Sequence, residues 1–171
     1  KVLKRVFFSF AMCIEAFRNC PSVMFVDGTF LTGQYRGKIL TAIGVDGNNQ
    51  IIPLAMAFVE GENFPNRVWF FRQVKIDIVQ DRPNVCVIQD RHVGILKAVK
   101  TLSNPIADEP TPWKDLQSRW CMRHLGANFF SQFKNKRLLN LFKKSCIDVD
   151  PCFSYGANCY GHKQRSSRTS F

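Results

Sequence analysis

A chain of 171 residues, 46% hydrophobic and 22% charged, can bury one domain-sized core, which excludes a disordered or fibrous class. No stretch approaches the ~18 apolar residues of a membrane-spanning helix, and the first residues lack the layout of a secretory signal. The net charge of +11 is uneven: residues 1–112 hold 13 Lys/Arg against 10 Asp/Glu, residues 113–171 hold 11 against 3, so the basic part suits either a polyanion or a solvated surface.

Leu3, Val6, Phe7, Phe10, Ile14 and Phe17 fall on one face of a helix over about 3–17, which Asn19-Cys20-Pro21-Ser22 ends. Val23-Met24-Phe25-Val26 opens a first strand over 23–30. Strands over 38–46 and 50–59 follow, joined at Asp46-Gly47-Asn48-Asn49, residue types that tolerate positive φ. Pro53 predicts an edge or a bulge in the third strand, with solvent as its outer neighbour. Asn63-Phe64-Pro65 starts a helix over about 66–79, with Val68, Phe71, Val74 and Ile78 inward and Trp69 and Phe70 widening that face.

Asp81-Arg82-Pro83-Asn84 turns the chain into a fourth strand over 85–89, and a helix carrying Ile95, Leu96, Ala98, Val99 and Leu102 comes next. Residues 103–117, with three prolines, are expected as a surface loop, 119–121 as a short fifth strand, and 124–144 as one long amphipathic helix. Periodicity is lost beyond 145, where poor order is expected. The parse is a helical lead-in (1–22), a core (23–125), an amphipathic helix (126–145) and a divergent tail (146–171). A three-strand meander followed by alternating helices and strands makes an α/β fold, a ribonuclease-H-like mixed five-stranded sheet with flanking helices. Seven cysteines in irregular positions, without a secretory signal, are expected to be reduced thiols.

Two aspartates follow apolar strands: Asp27 after Val26, and Asp90 after Gln89. A carboxylate there is costly unless it is paired or holds a metal. In the expected sheet the first and fourth strands are neighbours, so the two acids would meet and recruit a hard cation such as Mg2+. Two-metal sites of this type clamp the attacking and leaving oxygens of a phosphodiester, and they generally use three or four carboxylates. Singly, each acid has a plainer role: Asp27-Gly28 is a good turn dipeptide, and Asp90-Arg91-His92 could cap a helix. Cys121-Met122-Arg123-His124 and Cys159-Tyr160-Gly161-His162 share a C-x-x-H spacing, a ligand set for tetrahedral zinc. The 34 residues between the pairs, mostly helical in pattern, favour instead a packed Cys121 beside a hydrogen-bonded His124.

Val26-Asp27-Gly28-Thr29-Phe30, Gly33-Gln34-Tyr35-Arg36-Gly37-Lys38, Asp46-Gly47-Asn48-Asn49-Gln50, Phe58-Val59-Glu60-Gly61-Glu62-Asn63, Gln89-Asp90-Arg91-His92-Val93-Gly94-Ile95 and Trp120-Cys121-Met122-Arg123-His124-Leu125 occur in that order. The series resembles plant Mutator-like element transposases over about residues 5–145. The resemblance implies a DDE-type, ribonuclease-H-like core that cuts and joins DNA with Mg2+ or Mn2+. Asp27 and Asp90 match its first and second catalytic, metal-holding acids, and Cys121 and His124 match its C-x-x-H signature, which moves His124 towards an active-site or DNA-contact role.

The family's third acid, a glutamate beyond that signature, has no counterpart, since no glutamate follows Glu109. A weakly held metal, little or no catalysis, and a chain cut from a longer transposase are therefore expected. Arg91, Arg123, Lys134, Lys136 and Arg137 are the expected DNA contacts. Transposon ends are the implied partner and the nucleus the implied place; homo-oligomer formation is left open, and neither a membrane nor a small-molecule cofactor is expected. The rival expectations are a domesticated DNA-binding regulator, resembling the far-red-impaired-response transcription regulators, and a pseudogene product.

Overall fold

A computed structural model of the chain describes residues 4–32, 37–61, 63–104 and 110–149. Two compact units divide it, Lys1–Arg119 and Trp120–Phe171. The elements run β1 (Arg5–Ser9), α1 (Ala11–Arg18), β2 (Val23–Phe30), β3 (Lys38–Val45), β4 (Ile51–Val59), α2 (Phe64–Gln73), β5 (Cys86–Gln89), α3 (Val93–Ser103), β6 (Gln117–Trp120), α4 (Met122–Phe133) and α5 (Lys136–Val149). A π-helical stretch over Val74–Val79 continues α2, so 64–79 is helical throughout, as the apolar spacing predicts.

The sheet is mixed and has six strands rather than five, in the order β1-β4-β3-β2-β5-β6. The added strand is β1, where the expected helix begins too early. Val6, Phe7 and Phe10 fit one helical face, but the continuous run Val6-Phe7-Phe8 equally fits a short strand apolar on both faces, and long-range pairing decides between them. Arg5–Ser9 pairs antiparallel with β4, from Arg5↔Val59 to Ser9↔Ala55. Phe8 then sits 5.8 Å from the Phe58 ring, while Phe7 packs edge-on to Trp69 at 6.4 Å. β4 therefore has a protein neighbour on the side where solvent was expected. The irregularity expected at Pro53 is present: Ala42 pairs with Ala55 but Ile43 with Pro53, leaving Leu54 bulged.

The turn between β3 and β4 forms as its composition predicts. Asp46 Oδ1 accepts from the backbone N–H groups of Asn48 (2.8 Å) and Gln50 (2.7 Å), and Asn49 takes φ 61°. Asn63 caps α2 through its side chain, which accepts from Asn66 N at 3.0 Å. The core unites Met24, Val26, Leu40, Phe70, Phe71, Ile95 and Leu102. It also takes in Trp113, fully buried, although 103–117 was expected as surface loop. All four residues of β5 are buried, as a strand covered on both faces should be.

Arg82 ties the end of α1 to the turn before β5. Its guanidinium donates to the carbonyl oxygens of Phe17 and Cys20, its Nε to Ser22 Oγ at 3.0 Å, and it lies 4.5 Å from the Phe17 ring centroid. Arg82→Ala removes a donor from the Phe17 and Cys20 carbonyls, the former still accepting from Cys20 N at 3.1 Å, and is expected to cost about 2 kcal/mol. A lower urea midpoint with an unchanged slope is the readout.

In the second unit the expected single helix is two. Lys134 adopts φ 49° and ends α4, and Asn135 Oδ1 accepts from Arg137 N (2.9 Å) and Leu138 N (3.1 Å) to start α5. The break lets Phe129 stack on Phe142 at 4.5 Å, which a continuous helix forbids. Gly126 makes the close approach possible, since a Cβ there would lie 3.2 Å from Lys143 Cε and 3.4 Å from Leu139 Cδ1. The helix runs on to Val149, past the expected end at 145. The expected tail from 150 onward, with Cys159 and His162, lies outside the described residues.

Candidate functional site

β2 and β5 pair in parallel with Val23↔Cys86, Met24↔Val87, Phe25↔Ile88 and Val26↔Gln89. The next residue on each chain is an aspartate, so Asp27 and Asp90 sit side by side. Both are half-buried. Asp27-Gly28 does not form a turn: β2 runs on to Phe30, with Asp27↔Thr41 and Gly28↔Leu40 across β3. Nor does Asp90 cap α3, because His92 holds the cap position and its Nδ1 accepts from Gly94 N at 3.2 Å. Asp90 Oδ1 accepts from Arg91 N at 2.7 Å, and Asp27 Oδ1 from Gly28 N at 2.8 Å. Gln89, fully buried, anchors this end of β5 to β6 by donating from Nε2 to Ser118 Oγ at 2.7 Å.

A residue absent from the expected site lies against it. Arg67 of α2 is 1% exposed. A Cβ on Gly28 would lie 2.9 Å from Arg67 Nη2 and 3.6 Å from Cζ, so the guanidinium lies against the β2 backbone immediately after Asp27. Burial pushes the Arg67 pKa down to about 10, and the charges of Asp27 and Asp90 oppose that fall. Lys38 of β3 also has its pKa lowered, by burial first and by the Arg67 charge second. A signal for Arg67 was present: Arg67, Phe70, Phe71 and Val74 share one helical face, so an arginine stands inside an apolar stripe.

This donor set does not fit a two-metal clamp. Hard divalent ions take oxygen ligands on all sides. Here a buried guanidinium, which can only donate, lies against the strand that carries Asp27. Among the described residues, no group of three His, Cys, Asp or Glu side chains is close enough to hold an ion.

Cys121 and His124 belong to the second unit. Cys121 is buried at the start of α4, and its carbonyl accepts from Leu125 N at 3.0 Å. Arg123 Nη2 lies 2.8 Å from His124 Nε2; a guanidinium only donates, so the ring's proton sits on Nδ1. Lys134, Lys136 and Arg137 are exposed around the α4–α5 connection, and Arg91 is exposed beside Asp90.

An open mixed α/β sheet with a carboxylate pair at neighbouring strands defines the class. Residues 23–128, well over half the chain, match the family model described as MULE transposase domain, and the chain belongs to that family. The match begins at β2 and ends within α4, so it takes in the acidic pair, Arg67 and the Cys121/His124 motif. No curated protein matches the chain. Membership implies a transposase-like function and, in general, DNA as partner. Among the described residues no helix is long and apolar enough to cross a membrane.

Proposed function

We propose that the chain is a ribonuclease-H-like core of a plant Mutator-like transposase that engages transposon-end DNA in the nucleus, and that these 171 residues, holding two of the acids of a DDE-type strand-cleaving site, do not turn over by themselves. The observation that supports this is the parallel register Val26↔Gln89, which brings Asp27 and Asp90 side by side, as the first two acids of such a site would need to be. The strand order, once β1 is set aside, is a three-strand meander extended by two strands reached through helices, which supports a ribonuclease-H-like reading. Two carboxylates stand where three or four are needed, and within the 171 residues no glutamate follows Glu109. Any Mg2+ or Mn2+ is held weakly.

A magnesium or manganese strand-cleavage assay on transposon-end duplexes tests the catalytic half. No cleavage above the level of Asp27→Ala and Asp90→Ala is expected; robust cleavage abolished by either change overturns the claim of inactivity.

DNA contact is assigned to Arg91, Arg123, Lys134, Lys136 and Arg137. Lys136 and Arg137 occupy the first turn of α5, where cations oppose the helix dipole, an arrangement that phosphate relieves. Lys134→Ala/Lys136→Ala/Arg137→Ala is expected to weaken DNA binding about tenfold or more at low salt. It should also reduce the slope of log affinity against log salt by roughly 2–3. An unchanged slope in a titration by fluorescence anisotropy counts against phosphate contacts there.

The buried Arg67 favours a second reading, DNA binding without strand chemistry, as in a transposase-derived regulator. Salt-dependent binding that survives Asp27→Ala supports it, and loss of binding with that substitution removes it.

A further inference from the structure

Arg67 is the only charged side chain among the described residues that is almost fully buried. A buried guanidinium is strongly unfavourable unless anions face it. The anions that oppose its loss of charge are the Asp27 and Asp90 carboxylates. Room for it is made by Gly28, where any side chain would meet the guanidinium at 2.9 Å and Leu40 Cδ2 at 3.2 Å. The two acids and the arginine come from three elements, β2, the end of β5, and α2, so the cluster forms only when the domain is folded.

We propose that Arg67 is the resident cation of the Asp27–Asp90 pair, supplying the charge compensation that a divalent ion would otherwise supply and holding the pair in a metal-independent state. The proposal rests on the pairing of the two acids used above and adds to it the identity of their counter-charge. A fixed positive charge at short range in a poorly screened site repels a second cation. The two carboxylates then serve to keep a buried arginine charged. Lys38, whose charge is disfavoured first by burial and second by Arg67, adds to the same positive surroundings.

Mn2+ alone, titrated into the full chain and followed by the electron paramagnetic resonance of the free ion, tests this. The wild type is expected to show no site whose occupancy depends on Asp27 or Asp90. Arg67→Met should gain binding at least about tenfold tighter, by loss of the repelling charge, and Asp27→Asn or Asp90→Asn in that background should abolish the gain. Arg67→Lys should behave as wild type. A wild-type site lost on Asp27→Asn and unchanged by Arg67→Met overturns the proposal.

The metal-free melting temperature of Asp27→Asn, with Arg67 intact, decides the matter even if Arg67→Met fails to fold. It should fall, because a buried guanidinium loses an anion. A rise, the result expected of two mutually repelling acids, overturns the proposal. Neither measurement contains DNA, so failure here leaves the DNA-binding reading standing, and failure of DNA binding leaves these results untouched.

Discussion

Trp113→Ala should lower the free energy of unfolding by about 3–5 kcal/mol, the range for removing a large aromatic from a packed core. Trp113 is fully buried, its backbone N–H bonds the Leu102 carbonyl at 2.8 Å, and Lys75 Nζ lies 5.8 Å from the ring centroid. It thus fastens the segment before β6 onto the end of α3. Its Nε1 is buried without a hydrogen-bond partner among the described residues, so the loss in Trp113→Ala is one of packing. Trp113→Phe keeps most of that packing and removes the unmatched N–H, and should cost only about 1 kcal/mol. Domains of this size have about 5–15 kcal/mol in total, so the alanine variant should populate unfolded chain at modest urea while the phenylalanine variant does not. Equal midpoints for the two would show that the ring does not support the core.

Gly28→Val should cost about 3 kcal/mol, at the upper end for overfilling a packed site. The branched side chain would need the volume held by Arg67 Nη2 and Leu40 Cδ2. β2 cannot retreat, because it is paired on both sides, with β3 and with β5. The guanidinium must move instead, away from the acids that compensate it. Gly28→Ala should cost less, about 1–2 kcal/mol, and the penalty should shrink in an Arg67→Ala background, since the two positions compete for one space. Additive penalties in that cycle, measured by urea unfolding, would show that Gly28 and Arg67 are not in contact.

Much of the frame is legible without the structure. The Asp46-Gly47-Asn48-Asn49 turn, the Asn63 cap, the irregularity at Pro53 and the neighbouring first and fourth strands all follow from local chemistry and connection rules. The features that were not legible share a cause. The run Val6-Phe7-Phe8 fits a helix or a short strand until β4 offers its edge. Leu125 to Phe142 keeps an almost unbroken helical spacing, and only the packing of Phe129 against Phe142 rewards the break at Lys134 and Asn135. Trp113 sits among prolines and polar residues that mark a loop, and a single buried ring has no period to reveal it.

For the site, the sequence by itself determined the two acids, because a carboxylate after a buried strand stands out against the cost of burying charge. It also determined that these acids lie on neighbouring strands, since right-handed crossovers leave few alternatives. What faces them was decided only by the tertiary structure. Arg67 is 40 residues from Asp27 and 23 from Asp90, and nothing local distinguishes it from an arginine whose charged end reaches solvent. The packing of α2 against the sheet takes that choice away, closes the guanidinium in beside Gly28, and makes the acids its counter-charge.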